Sequence, residues 1–259
     1  MNQYDAIVIG AGHNGLTNGA YLAKAGLRVA VLERNPYIGG ATVSRELHKG
    51  WYYSNCSYVS SLLRPEITRD LELPRHGLQV VPFGGGATFM RNGDHFGNYA
   101  DHDRHYREIA RHSKRDANAY DRYAADTSLQ TKLIRPYLMR TPPDPTSLKP
   151  RDLRDLMEFA QSFMSLGEEK LLDTIKFWTA SVGDYLNEYF ETDVIKAHMA
   201  GSGIIGTALG VYSPGTAYVL LHHYMGDVDG NVGAWGFARG GMGAIASALS
   251  KAFQSFGGD

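Results

Sequence analysis

Gly10, Gly12 and Gly15 stand in the spacing G-x-G-x-x-G, and Glu33 follows Gly15 by 18 residues. These residue types at these intervals suit a pyrophosphate and a ribose. Gly10 allows a tight turn, Gly12 lets backbone approach a phosphate with no Cβ between them, and Gly15 lets a helix pack close to a strand. The unpaired N–H groups and positive dipole end of that helix attract the anion. A carboxylate at Glu33 can accept from both ribose hydroxyls, and it argues against the 2′-phosphate of NADP.

The flanking sequence supplies the elements that must position these groups. Tyr4 to Ile9 is a short β-branched apolar run, which predicts a buried parallel strand. Asn14 to Ala25 carries helical spacing, with Leu16, Ala20, Leu22 and Ala23 apolar, and Gly26 ends it. Leu27 to Leu32 predicts a second strand with Glu33 at its tip. The three elements make a βαβ unit that holds a dinucleotide, and the small residues Gly19 and Ala23 suit its close helix packing.

Further residues could serve a site. The pair Gly39-Gly40 makes a second turn, either beside the same pyrophosphate or as an ordinary surface turn. Glycine-rich backbone from Gly233 runs into an amphipathic helix over Gly241 to Phe253, a second candidate helix N-terminus for the cofactor. His222 and His223 are adjacent, so they face different ways and lack metal-ligand spacing; no metal is expected. His222 and Tyr224 are candidate pocket residues. Cys56 has no basic partner in its neighbourhood and reads as a small core residue, not a nucleophile. Arg104, Arg107, Arg111 and Arg115 recur on one helical face, which reads as a solvated stripe diluted by Glu108 and Asp116 in preference to a membrane contact.

The chain has 259 residues, 43% of them hydrophobic, with a net charge of −1. That supports a sizeable core and gives no sign of a nucleic-acid partner. A single cysteine excludes intrachain disulfides and a dithiol pair. No signal peptide is visible, and Gly201, Gly203, Gly206, Gly210 and Pro214 break the uncharged run over residues 199–221. A cytoplasmic protein without a transmembrane helix is therefore expected. Helices are predicted over residues 61–73, within 101–139, and over 153–166, 168–180, 183–190, 193–199 and 215–225. Strands are predicted over 78–82 and 87–90, joined by Gly84-Gly85-Gly86, and residues 141–150 form a proline-rich loop.

The stretches YDAIVIGAGHNG, VLERNPYIGGATVS, SLLRPEI, SPGTAYVLLHH and WGFARGGMGAI run across nearly the whole chain. Through them the sequence resembles the phytoene-desaturase-like flavoproteins, which include carotenoid desaturases and retinol saturase. The resemblance implies FAD in place of NAD. It implies FAD contacts at Gly10, Gly12, Asn14, Gly15, Glu33, Arg34, Gly40 and Ala41, with Gly39 in the same turn. The implied fold is α/β: a Rossmann-like FAD-binding domain with an inserted, largely helical substrate domain. Its parts would be residues 1–75 and 233–259 for the flavin domain and 76–232 for the insertion. Family members are about twice as long, so the C-terminal half of the usual fold is expected to be absent. An exposed apolar sheet edge and a partner are expected with it, either a second polypeptide supplying that half or another copy.

The activity so implied is hydride transfer between a C–H bond of an apolar substrate, of isoprenoid or polyene type, and flavin N5. No catalytic residue is assigned. Two other readings share the fold: an amine-oxidase-like flavoenzyme, with the aromatics from Trp51 to Tyr58 as its hint of a cage, and a binding protein like the Rab GDP-dissociation inhibitors.

Overall fold

The computed structural model describes residues 3–259. Strand β1 (Ala6–Ile9) leads through a glycine turn into helix α1 (His13–Lys24), and strand β2 (Val29–Leu32) returns parallel to β1. Both strands start two residues later than predicted. Ahead of them the Asp5 carboxylate accepts from the Arg28 backbone and guanidinium, and the Asp5 N–H donates to Arg28 O at 2.8 Å, so a side chain joins the backbone in holding the preceding residues. Strands β3 (Ser44–His48) and β4 (Trp51–Ser54) form an antiparallel hairpin. Trp51, Tyr52 and Tyr53 face solvent, and Cys56 just beyond is exposed, contrary to the core position expected for it. Helix α2 (Pro65–Asp70) and a 3-10 turn at Leu73–His76 replace the single helix expected over 61–73. Pro65 and Pro74 each open a new turn and cannot sit inside one. Strand β5 (Val80–Pro82) follows.

Residues 84–225 form a separate compact unit. It opens with the antiparallel hairpin of β6 (Gly85–Phe89) and β7 (His95–Tyr99). Helices α3 (His102–His112), α4 (Lys114–Ile134), α5 (Pro150–Met164) and α6 (Glu168–Thr179) come next. Helices α7 (Val182–Asn187), α8 (Asp193–Ile204) and α9 (Thr216–Tyr224) complete the unit. Caps set the boundaries: Asp101, Ser113 and Ser181 each accept from a backbone N–H in the first turn of α3, α4 and α7. Ser113 thereby divides the long helical region in two. Phe96, Ile109, Leu186, Ile195, Leu220 and Leu221 are buried in one core. Three arginines of the stripe are engaged: Arg104 lies over the Tyr99 ring, Arg111 pairs with Asp94 and Glu108, and Arg115 pairs with Glu191.

This unit also buries histidine. His105 lies beside Phe96 and Tyr120 among buried groups, and desolvation holds its pKa down at about 4. The unfolded chain titrates near the ordinary value of 6.5 and so binds more protons than the folded chain between pH 4 and 6.5. Stability therefore falls as the pH drops through that window, by about 3 kcal/mol in full. Urea midpoints measured from pH 7 to pH 4.5 are expected to decline, and His105→Gln is expected to flatten the decline.

The chain then returns to the first unit, which comprises the residues up to Phe83 together with Gly226–Asp259. Strands β8 (Asp227–Val228) and β9 (Asn231–Val232) form a small hairpin, β10 (Gly236–Ala238) pairs antiparallel with β5, and α10 (Gly243–Ser255) follows. The pairing of β5 with β10 carries the unit's boundaries to 83/84 and 225/226, where the sequence suggested 75/76 and 232/233. Helix α10 packs directly on α1. A Cβ on Gly19 of α1 would come within 2.8 Å of Val31 Cγ2 and 3.5 Å of Phe253 on α10. Leu16, Leu71, Leu73 and Leu249 are buried in this core, each contributing about 1.5–3 kcal/mol. Val8 and Val31 belong to the same core. On the opposite face of β1 and β2 Ala30 is buried, but Ile7, Ile9 and Leu32 are bare, at 60%, 89% and 54% exposed. On the outer edge of β2, the Asp259 backbone donates to Val29 O and accepts from Val31 N.

Candidate functional site

The turn after β1 requires glycine at position 10 for its backbone angle and at position 15 for space. Gly10 has φ +103°, and its N–H donates to Leu32 O at 2.7 Å. A Cβ on Gly15 would lie 2.0 Å from Gly10 O. Gly12 caps α1, and no side chain takes the N–H groups of its first turn. The second glycine turn meets the first. Gly39 N–H donates to Ala11 O at 2.8 Å, and a Cβ on Gly40 would stand 3.2 Å from Gly12 Cα. Gly39 and Gly40 both have positive φ, and Thr42 Oγ1 donates to Gly39 O at 2.8 Å. The Gly39-Gly40 turn thus stands directly beside the first glycine turn.

Glu33 closes this arrangement. Its Oε2 accepts from Ala11 N–H at 2.9 Å, and its Oε1 accepts from the backbone N–H and side-chain amide of Asn35, both at 2.9 Å. The Asn35 backbone N–H, then that of Ala11, hold the carboxyl below its usual range. His13 opens α1, and its Nδ1 is buried with no partner. Asn14, Arg34 and Ala41 border the turns and are exposed. Open N–H groups, a cradle that a Cβ would fill and an orphaned imidazole nitrogen fit a pyrophosphate; the Glu33 carboxylate fits a ribose diol.

Helix α10 differs from this. Met242 N–H donates to Ser54 Oγ at 3.0 Å and Gly243 N–H to Ser44 Oγ at 2.9 Å. The β3–β4 hairpin thus takes the leading N–H groups of α10, which are not open to an anion as expected. These two serines escape sequence reading because nothing local marks them as partners of residues nearly two hundred positions away.

In the helical unit, His222 is exposed on α9, whereas the Tyr224 hydroxyl accepts from Tyr123 Oη at 3.3 Å and donates to Met199 Sδ at 3.7 Å. Desolvation raises the Tyr224 pKa. The two candidate pocket residues therefore do not converge. Among the described residues no group of three or more His, Cys, Asp or Glu could hold a metal ion. No helix of the described residues is long and apolar enough to cross a membrane.

Residues 8–70 match the NAD(P)-binding Rossmann-like domain. The first unit is a Rossmann-like dinucleotide-binding domain. The chain is homologous to pyridine nucleotide-disulfide oxidoreductase domain-containing protein 2 of Mus musculus, at 36% identity over 98% of this chain and 46% of that protein. It is also similar to one of the subunits of limonene dehydrogenase from Castellaniella defragrans, 36% identical over 121 residues, which are 46% of this chain and 22% of that one. Putrescine oxidase bound to putrescine superposes with a TM-score of 0.55 at 18% identity, over 98% of this chain and 50% of the oxidase. That likeness shows the fold, which is that of FAD-dependent oxidoreductases and amine oxidases. The chain spans about half the length of the curated relatives that it matches along its whole length. Its single Cys56 cannot supply an intrachain dithiol, whatever the first relative's name suggests.

Proposed function

We propose that this chain is the FAD-binding part of a phytoene-desaturase-like oxidoreductase acting on a C–H bond of an apolar, isoprenoid or polyene substrate. One observation carries the cofactor reading. The Glu33 carboxylate at the tip of β2 is bonded to the Ala11 N–H of the glycine turn at 2.9 Å. The ribose acceptor and the pyrophosphate turn are thereby built as one rigid piece. When bound, FAD supplies hydride acceptance at N5. The residues of this chain hold it. The first-turn N–H groups of α1 face the pyrophosphate, Glu33 accepts from the ribose hydroxyls, and Gly39, Gly40 and Ala41 bring backbone alongside.

The substrate class is supported by the similar limonene dehydrogenase polypeptide, whose name gives a terpene hydrocarbon as its substrate. Amine oxidation is the second reading, supported by the fold shared with putrescine oxidase. Anaerobic mixing of the FAD-loaded protein with limonene, with a soluble polyene and with putrescine separates the two. Loss of the oxidised flavin band on adding terpene or polyene supports the proposal; loss with putrescine alone overturns it.

The bare face of Ile7, Ile9 and Leu32 is proposed to seat a second polypeptide equivalent to the remainder of the longer relatives. Sedimentation velocity is expected to show self-association of this chain alone, relieved by Ile7→Thr with Ile9→Thr. A wild-type chain that stays monomeric at high concentration would contradict the proposed seat.

A further inference from the structure

Strands β6 and β7 make a two-stranded sheet of their own in the helical unit, so each has an edge that the other does not share. The register fixes which groups lie on those edges. Met90 N–H donates to Asp94 O at 2.8 Å and Ala100 N–H to Gly84 O at 3.0 Å, one at each end of the ladder. Bonded and unbonded pairs alternate in an antiparallel ladder, so Gly86 with Asn98 and Thr88 with Phe96 exchange the bonds between the strands. The backbone N–H and C=O groups of Ala87 and Phe89 on β6, and of His95, Gly97 and Tyr99 on β7, therefore point outward.

The two edges differ. Helix α3 covers that of β7: Glu108 accepts from Gly97 N–H at 3.0 Å, His105 Nδ1 accepts from Tyr99 N–H at 3.5 Å, and Arg111 donates to His95 O. Among the described residues nothing does this for β6, and the outward groups of Ala87 and Phe89 have no partner. Both residues are exposed, Phe89 at 84%. An open groove of about 530 Å³ lies along the hairpin, lined by Gly84, Gly85, Gly86 and Gly97 together with Phe89 and Tyr99. Glycines leave a sheet face bare, and a bulky side chain on an adjoining strand fills such a gap. An open row of donors and acceptors beside a bare face is a template for an added strand.

We propose that β6 accepts an extended segment of a second polypeptide, which pairs with Ala87 and Phe89 and lays a large apolar side chain over the glycines. The occupant is the polypeptide equivalent to the remainder of the longer relatives. This chain covers 46% of the Mus musculus relative, so more than half of that protein lies outside the match. A sheet with one edge capped by its own helix and the other left open has the form expected where the next strand comes from that remainder. The inference rests on the second-polypeptide reading given above and not on the flavin, and it gives that partner a strand site on the helical unit.

Hydrogen exchange of this chain tests the site, alone and with the unmatched part of the Mus musculus relative expressed as a separate polypeptide. The Ala87 and Phe89 amides are expected to exchange about tenfold more slowly in the mixture, the weight of one hydrogen bond. Those of Gly97 and Tyr99, already held by α3, are expected to stay unchanged. Ala87→Pro removes an outward N–H and no bond between β6 and β7. It is expected to unfold at a temperature near that of wild type and to weaken the association about tenfold. If it unfolds much earlier, Phe89→Lys decides, because it puts a charge on the same edge at a solvent-facing position. Association weakened by Ile7→Thr with Ile9→Thr but indifferent to both edge variants would keep the partner and overturn the strand site. No association, or β6 amides unchanged within the complex, would overturn it too. So would self-association of this chain that Ala87→Pro relieves, since the occupant would then be a second copy.

Discussion

Replacing Gly15 with alanine is expected to abolish FAD binding and to lower stability by about 3 kcal/mol or more. The added Cβ would stand 2.0 Å from Gly10 O and 3.2 Å from Gly10 C, both backbone atoms of the turn itself. Neither can move without pulling Gly10 N–H from Leu32 O and opening the β1–β2 edge. The sign is diagnostic. Alanine inside a helix ordinarily gains about 1 kcal/mol over glycine, so propensity alone forecasts a stabilised protein. Thermal unfolding of Gly15→Ala beside wild type distinguishes the two. A variant as stable as wild type that still holds FAD would show that the turn is not built as described.

Replacing Glu33 with glutamine is expected to weaken FAD about 10- to 100-fold, the range for losing charged hydrogen bonds. Stability should change little, because the side chain lies at the surface of the unit. Glutamine keeps one carbonyl, but its amide would face the N–H groups of Ala11 and Asn35 that now donate to the carboxylate. The same contacts set a pH dependence. The folded carboxyl titrates below its usual range, held there first by the Asn35 N–H. Its contribution is therefore complete above the unfolded value and is lost as pH falls through the lowered folded one. Fluorescence titration of FAD into wild type and Glu33→Gln reads the affinity, and urea unfolding of both as the pH is lowered through the carboxylate range reads the pH dependence, which the variant lacks. Equal affinities would remove Glu33 from the ribose site.

How far the sequence carries the fold depends on whether the information is local. The β1–α1–β2 unit is legible because its strands are short apolar runs and its glycines answer steric demands within a few residues. Gly15 is needed because of Gly10, five positions away. The helices of the second unit are legible for a similar reason, since apolar periodicity and caps such as Ser181 lie within the element they define. The β3–β4 hairpin is not legible. Its inward residues include the serines Ser44 and Ser54, which serve the N-terminus of α10, and its aromatics face out. Strand β7 reads HFGNY, with a glycine in the middle and no β-branched residue. Residues 78–82 and 87–90 read as two strands joined by Gly84-Gly85-Gly86, and the structure has them as β5 and β6. Each has its own partner, and that of β5 lies beyond the whole helical unit.

FAD affinity of the purified, cofactor-stripped protein is the most direct test of the central claim. Titration should give one saturable site per chain. The flavin fluorescence should change on binding, and NADP should fail to compete, because Glu33 occupies the place that a 2′-phosphate needs. Saturable FAD binding that is lost in Gly15→Ala and weakened in Glu33→Gln is the result expected. No uptake of FAD by folded wild-type protein, or uptake indifferent to both substitutions, would contradict a flavin site built from the glycine turns and Glu33.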